Sequence, residues 1–140
     1  MLQIEIGDII INIKNNILYM ERIMVEILTR SEKETEKLGE KLGKLLKPGT
    51  IILIKGDLGV GKTVLTRGIA RGLGIDEPIT SPTFTLLHQY KGRLPLYHFD
   101  IYRIGDPEEM YDIGYEEFFY GDGVTVVEWP EKMEWLLPEE

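Results

Sequence analysis

The sequence predicts an α/β fold, in which a mostly parallel sheet is flanked by helices and carries an antiparallel hairpin insertion. Three observations predict it. Apolar, β-branched runs alternate with segments of helical periodicity, a glycine-rich loop joins one such run to one such segment, and a three-residue turn separates two strand-like segments. The 140 residues, 43% of them apolar, suit a single core. Residues 1–19 are rich in isoleucine and asparagine and look unlike the rest, so we expect one domain over residues 24–140 and an appended N-terminal extension over residues 1–23.

The first long helix is expected from Ser31 to Lys47. Ser31 and Glu34 form a capping-box pair at its start. Four leucines are expected on its buried face, namely Leu38, Leu42, Leu45 and Leu46. Two glycines four residues apart, Gly39 and Gly43, predict that this helix closely approaches a neighbouring one.

Residues 56–63 read GDLGVGKT and match the pattern G-x-x-x-x-G-K-[ST] in full. The apolar run at 50–54 predicts the strand that this motif requires before it, and helical spacing predicts the helix after it. The glycines allow backbone N–H groups to surround phosphate oxygens. Lys62 supplies a charge for the β- and γ-phosphates, and the Thr63 hydroxyl is placed to bind Mg²⁺. The motif therefore predicts a nucleotide site of P-loop NTPase type.

Magnesium at such a loop requires a carboxylate at the end of a nearby strand. Two acids qualify: Glu128 ends the apolar run 124–127, and Asp100 ends the run 96–99. Both would reach the carboxyl edge of the sheet, where open α/β folds bind ligands. We favour Glu128 as the metal partner and Asp100 as the residue that orients water or couples to a switch. A surface acid at a strand end is the alternative for either one.

Several further residues carry two interpretations. The hydroxyl-rich residues 80–85 either sense the γ-phosphate or form an ordinary turn into a strand. Arg103 either neutralises transition-state charge or pairs with acidic residues nearby. Trp129 either packs against the nucleotide site or lies in the core. His98 is expected to be packed or hydrogen-bonded rather than catalytic.

Composition excludes several classes of function. The chain has no cysteine, which rules out disulfides, thiol catalysis and Cys-ligated zinc. No apolar segment is long enough to span a bilayer, so we expect a cytoplasmic protein without membrane contact. Residues 1–99 carry a net charge of +3, whereas residues 100–140 carry −11. That acidic third disfavours direct nucleic-acid binding and suits either a solvated surface or a basic protein partner.

Five motifs together, GDLGVGKT, SPTFTLLHQY, YHFDIYR, DPEE and VEWPE, resemble the TsaE (YjeE) family in order and spacing. That family consists of small bacterial ATPases of the pathway that makes N6-threonylcarbamoyladenosine on tRNA. The resemblance covers about Met24 to Glu140. It implies a P-loop protein with ATP and Mg²⁺ as cofactors that hydrolyses ATP to reset a complex of TsaB and TsaD. It would not transfer the threonylcarbamoyl group itself, and would meet tRNA only through that complex.

Matching positions imply individual roles. Thr63 and Glu128 would hold Mg²⁺, Asp100 would be required for hydrolysis, Trp129 would support activity, and Glu32 would lie by the adenine. The residues expected at the phosphates are Asp57, Leu58, Gly59, Val60, Gly61, Lys62 and Thr63. Ser81 to Thr85 would form one switch segment and Asp100 to Arg103 another, and the switch residues expected within them are Ser81, Thr83, Thr85 and Arg103.

Two other functions remain open from the residues themselves. A small-molecule kinase on the same loop would need an acceptor pocket, often under a lid that carries arginines, and only Arg93 and Arg103 follow position 71. A nucleotide-gated binding module would have negligible catalysis. Because no arginine finger is evident in cis, we expect weak hydrolysis by the isolated protein.

Overall fold

The computed structural model describes residues 2–6, 9–14, 17–20, 27–28, 30–55, 61–82, 85–106 and 108–129. These residues contain, in chain order, β1 (Leu2–Ile6), β2 (Ile9–Lys14), β3 (Ile17–Met20), β4 (Ile27–Leu28), α1 (Glu32–Leu45), β5 (Ile51–Lys55), α2 (Lys62–Gly72), β6 (Leu87–Tyr90), β7 (Leu96–Asp100), α3 (Glu109–Asp112), α4 (Tyr115–Phe119) and β8 (Val124–Glu128).

All eight strands belong to one sheet, in the order β4-β3-β2-β1-β5-β8-β7-β6. β8 lies between β5 and β7 and is parallel to both, while β6 pairs antiparallel with β7 at the edge. This part of the sheet confirms the predicted fold class, mostly parallel with one antiparallel hairpin and flanked by helices. β1 to β4 pair antiparallel, and β1 joins them to β5. The proposed division of the chain after residue 23 stays a prediction.

The central strands are mostly apolar because both faces of the sheet are covered. On one face, Ile54 and Val126 pack with Leu65 of α2. On the other face, Phe99 and Val127 pack with side chains of α3 and α4, including Phe119. Alternation along each strand therefore decides which side chains reach the α2 side.

α1 begins as its capping residues predict, since the Ser31 hydroxyl accepts the backbone N–H of Glu34 at 3.2 Å. Leu46 is buried, and Leu38 packs against the core. The prediction for Leu45 is wrong, because its side chain is 77% exposed. Leu45 follows the buried Gly43 by two residues, which places it about 200° around the helix.

α1 and α2 pack through glycines on both helices. A Cβ atom at Gly39 would lie 2.5 Å from the Leu65 carbonyl oxygen, and one at Gly43 would collide with the backbone of Ile69. Gly68 and Gly72 of α2 meet α1 in the same way; their Cβ atoms would collide with the Glu36 and Glu40 carbonyls. The close approach predicted from the glycine spacing is confirmed.

No helix within the described ranges is both long and apolar enough to cross a membrane.

Candidate functional site

The N-terminus of α2 forms one wall of the site. Gly61 adopts φ 93°, a left-handed conformation that favours glycine, and α2 starts at the next residue. Lys62 is only 7% exposed, and Thr63 follows it. The first N–H groups of a helix lack intrahelical partners and carry the positive end of its dipole, so this wall suits an anion. Four predicted phosphate ligands lie outside the described residues: Asp57, Leu58, Gly59 and Val60.

Two carboxylates stand at the facing edge of the sheet. Asp100 ends β7 and Glu128 ends β8, and the two residues are direct partners in the parallel register. Leu96 in β7 and Val126 in β8 are buried on the side of the sheet that faces α2. Asp100 follows Leu96 by four residues and Glu128 follows Val126 by two, and even spacing along a strand keeps side chains on the same face. Asp100 and Glu128 are 6% and 2% exposed, so this pair of acids is almost removed from solvent.

Hydrogen bonds occupy both oxygens of the Asp100 carboxylate. The Ser81 hydroxyl donates to Oδ2 at 2.7 Å, and the Tyr102 backbone N–H donates to Oδ1 at 3.1 Å. Asp100 is thereby connected to one residue of each predicted switch segment. Thr83 lies outside the described residues, and the exposed Thr85 lies in a turn before β6.

The Glu128 carboxylate is held at one oxygen. Its Oε2 accepts a hydrogen bond from His98 Nε2 at 3.0 Å, and His98 is fully buried. Within the described part of the chain, Oε1 has no hydrogen-bond partner. This geometry confirms the prediction that His98 is a buried, hydrogen-bonded histidine, and it identifies the partner.

Trp129 follows Glu128 in a left-handed conformation, φ 62°, which is uncommon for a residue with a bulky side chain. Its backbone N–H reaches the Ile54 carbonyl at 3.3 Å. The Lys62 Nζ atom lies 3.9 Å from the centre of its ring, within cation–π range. The Tyr102 ring lies 4.8 Å away, centre to centre. Trp129 thus lies against the site rather than deep in the core.

A cavity of about 470 Å³ joins these groups. It is lined by Glu32, Gly61, Lys62, Thr63, Val64, Ser81, Asp100, Tyr102, Arg103, Glu128 and Trp129. The described residues predicted at the adenine, the phosphates, the metal and the switches, apart from Thr85, therefore meet in one place. Their individual roles stay predictions.

Sequence reasoning missed two contributions to this site. Tyr102 was included only as part of a switch segment, without the ring contact to Trp129. The bond from His98 to Glu128 depends on the register between β7 and β8, which places the two residues on the same face of neighbouring strands, and no sequence pattern predicts that register.

A strand, a glycine-rich segment, a helix starting at Lys-Thr and two acids at the carboxyl edge of the sheet define an α/β protein of the P-loop class. The family model described as "Threonylcarbamoyl adenosine biosynthesis protein TsaE" matches residues 29–140. The chain therefore belongs to the TsaE family.

Relatives and a solved structure agree with this assignment. The tRNA threonylcarbamoyladenosine biosynthesis protein TsaE of Treponema pallidum is 49% identical over 112 residues, 80% of this chain and 83% of that protein. Its Bacillus subtilis counterpart is 45% identical over 113 residues, 80% of this chain and 70% of that protein. The crystal structure of Bacillus subtilis YdiB matches with a TM-score of 0.67 and 40% identity, covering 80% of this chain and 68% of that one. The resemblance expected from the motifs is confirmed.

Proposed function

We propose that this protein is the ATP-binding and ATP-hydrolysing component of the machinery that makes N6-threonylcarbamoyladenosine on tRNA. It would act as a nucleotide-dependent switch on TsaB and TsaD, in the cytoplasm, and would meet tRNA only through them. One observation carries the proposal: the N-terminus of α2 and the Asp100–Glu128 pair face a single cavity in a member of the TsaE family.

The residues of the cavity fit a nucleotide with Mg²⁺. Oxygen donors are the ligands that Mg²⁺ prefers, and the Thr63 hydroxyl and the Glu128 carboxylate both line the cavity. Glu128 suits a cation better than Asp100, because hydrogen bonds already occupy both Asp100 oxygens. Mg²⁺, when bound, would neutralise the charge on the β- and γ-phosphates.

The buried Lys62 is the positive group best placed for the phosphates. In the structure its ammonium lies over the Trp129 ring, so nucleotide binding would exchange a cation–π contact for charge-assisted hydrogen bonds, which are stronger. Trp129 would then form an apolar wall that excludes water from this charge pair.

Each Asp100 oxygen has a lone pair beyond the one in its hydrogen bond, so Asp100 would orient the attacking water and accept its proton. Its fixed carboxylate suits this role, because positioning is the main protein contribution to phosphoryl transfer. Its bonds to Ser81 and to the Tyr102 N–H also suit a switch: a change at the γ-phosphate would be felt at both segments.

Weak intrinsic hydrolysis is expected unless Arg103 acts on the phosphates in cis, because the other arginine that follows position 71 is engaged elsewhere. Arg93 donates to the Gly43 carbonyl at 2.8 Å and is occupied in joining its loop to α1. Arg103 lines the cavity and is exposed. The engagement of Arg93 also disfavours the small-molecule kinase, because the lid of such a kinase would need several mobile arginines over the nucleotide. The nucleotide-gated binding module differs from our proposal only in lacking turnover.

The test is reconstitution of the modification reaction from TsaB, TsaD, tRNA and threonylcarbamoyl-adenylate. We expect the wild-type chain to support multiple turnovers and Lys62→Ala to abolish that support. Lys47→Ala removes an exposed lysine outside the cavity and is the matched control. Full support by Lys62→Ala would overturn the proposal, while support by wild type without ATP hydrolysis would favour the binding module.

A further inference from the structure

A buried histidine lies directly behind the candidate metal ligand. His98 is the middle residue of β7, and its register partner in β8 is Val126, two residues before Glu128. Even spacing places His98 on the same face as Asp100, and the diagonal step across the strands brings its Nε2 atom to 3.0 Å from Glu128 Oε2. The histidine is 0% exposed, so it reaches the cavity only through Glu128.

The direction of this hydrogen bond is assigned from the chemistry of its partner. Nε2 of His98 is taken as the donor because an ionised carboxylate only accepts hydrogen bonds. The other ring nitrogen, Nδ1, is buried and has no hydrogen-bond partner in the described part of the chain. A buried polar atom without a partner costs stability, and an apolar side chain at position 98 would not carry that cost. The favourable contact that the imidazole adds here is the hydrogen bond to Glu128.

The two acids at this edge are held in different ways. Asp100 has donors on both oxygens, from Ser81 and Tyr102. Glu128 has, among the described residues, a single donor, His98. A carboxylate held at one oxygen keeps its orientation and leaves the second oxygen for a cation, an arrangement typical of metal ligands oriented from behind.

We propose that His98 is a positioning residue for Mg²⁺: it holds the Glu128 carboxylate through Oε2 so that Oε1 is presented to the metal that accompanies the nucleotide. The assignment rests on the proposed function. Without the Nε2 donor, the carboxylate loses its fixed orientation, and the affinity for Mg²⁺ falls while the phosphate contacts of α2 remain.

Calorimetric titration of the full chain with a non-hydrolysable ATP analogue, in Mg²⁺ and separately in EDTA, tests this role without measuring activity. His98→Gln places an amide N–H near the position of Nε2, whereas His98→Asn is too short to reach Glu128. We expect Asn to reduce Mg²⁺-dependent affinity by about tenfold or more, the usual effect of losing such a contact. Gln should stay within about threefold of wild type. Affinity in EDTA should be the same for all three proteins.

Two further variants separate positioning from packing. His98→Leu removes the donor and fills the buried position with an apolar side chain. It replaces the Asn variant in the titration if that variant does not fold, as judged by thermal unfolding. His88 in β6 is the register partner of His98, and its ring contacts Thr80 and Tyr90 rather than Glu128. His88→Asn should therefore leave the affinity for the ATP analogue unchanged, both in Mg²⁺ and in EDTA.

The outcomes are distinguishable. Folded Asn or Leu variants with wild-type Mg²⁺ dependence would overturn the positioning role and leave the proposed function standing. Equal losses in Mg²⁺ and in EDTA would also overturn it, because they indicate a general disturbance of the site. A wild-type chain that binds the analogue in neither condition would overturn the proposed function itself, and this assignment with it.

Discussion

At the scale of single residues, the site depends on a difference between two neighbouring acids. Asp100 and Glu128 end adjacent parallel strands and are both buried. Asp100 accepts two hydrogen bonds from residues of the switch segments, while Glu128 accepts one, from His98. The first pattern suits the proposed base that is linked to the proposed switch segments, and the second suits the proposed metal ligand.

The two acids should therefore respond differently to mutation. Glu128→Ala should reduce the Mg²⁺-dependent part of nucleotide affinity, because it would remove the proposed metal ligand. Asp100→Ala should retain binding and lower turnover by about 10²- to 10⁴-fold, the usual contribution of a general base. Titration of nucleotide with and without Mg²⁺, together with phosphate-release rates, measures both effects. Asp100→Asn keeps the shape but not the base, so it too should retain binding and lose turnover. Equal losses of binding in the Asp100→Ala and Glu128→Ala variants would contradict the division of roles.

At the scale of elements, the glycine contact between α1 and α2 sets the width of the site. α1 contributes Glu32 to the cavity and α2 contributes Lys62 and Thr63. Their separation depends on Gly39 and Gly43, where side chains would collide with the backbone of α2. This contact begins one helical turn after Lys62, so it bears on how the two walls of the cavity face each other.

Gly43→Ala should destabilise the protein despite the better helix propensity of alanine. Alanine gains about 1 kcal/mol in a helix, but overpacking against backbone costs about 1–3 kcal/mol and the helices must separate to relieve it. Denaturant unfolding measures the net effect. Gly105→Ala is the control, because a Cβ there meets nothing within 4 Å. A Gly43→Ala variant as stable as wild type would show that the helices separate easily.

At the scale of the whole molecule, charge and arginine placement suggest a protein that works through partners. Residues 100–140 carry 13 acidic and 2 basic side chains, and the exposed Tyr111 and Tyr120 lie in this region. An acidic surface repels tRNA and suits a basic protein surface. The only arginine that lines the cavity is Arg103, within the residues that the structure describes.

The isolated chain should consequently hydrolyse ATP slowly, at less than about 0.01 per second, as P-loop hydrolases do without an arginine finger. Phosphate release measured alone and with TsaB and TsaD tests this expectation, and Lys62→Ala gives the background of contaminating activity. Rapid hydrolysis by the isolated chain would contradict it and would point to Arg103 acting in cis.

Local patterns in the sequence were sufficient for most of the elements. The cap at Ser31, the β-branched runs and the glycine-rich loop before Lys62 act within a few residues, so the sequence predicts them directly. The order of these patterns along the chain predicts the fold class and the family. Leu45 shows what such local patterns cannot predict: where a helix ends and which of its sides packs inward depend on the neighbouring helix.

The sequence by itself therefore determined the G-x-x-x-x-G-K-[ST] motif, the two acids and the segments around them. Only the tertiary structure decided that β8 lies between β5 and β7, which makes Asp100 and Glu128 neighbours and brings His98 to Glu128. It also decided that Ser81 bonds to Asp100 and that Trp129 lies beneath Lys62. The physical reason is that strand order and register arise from contacts between residues distant in the chain, which no local pattern encodes.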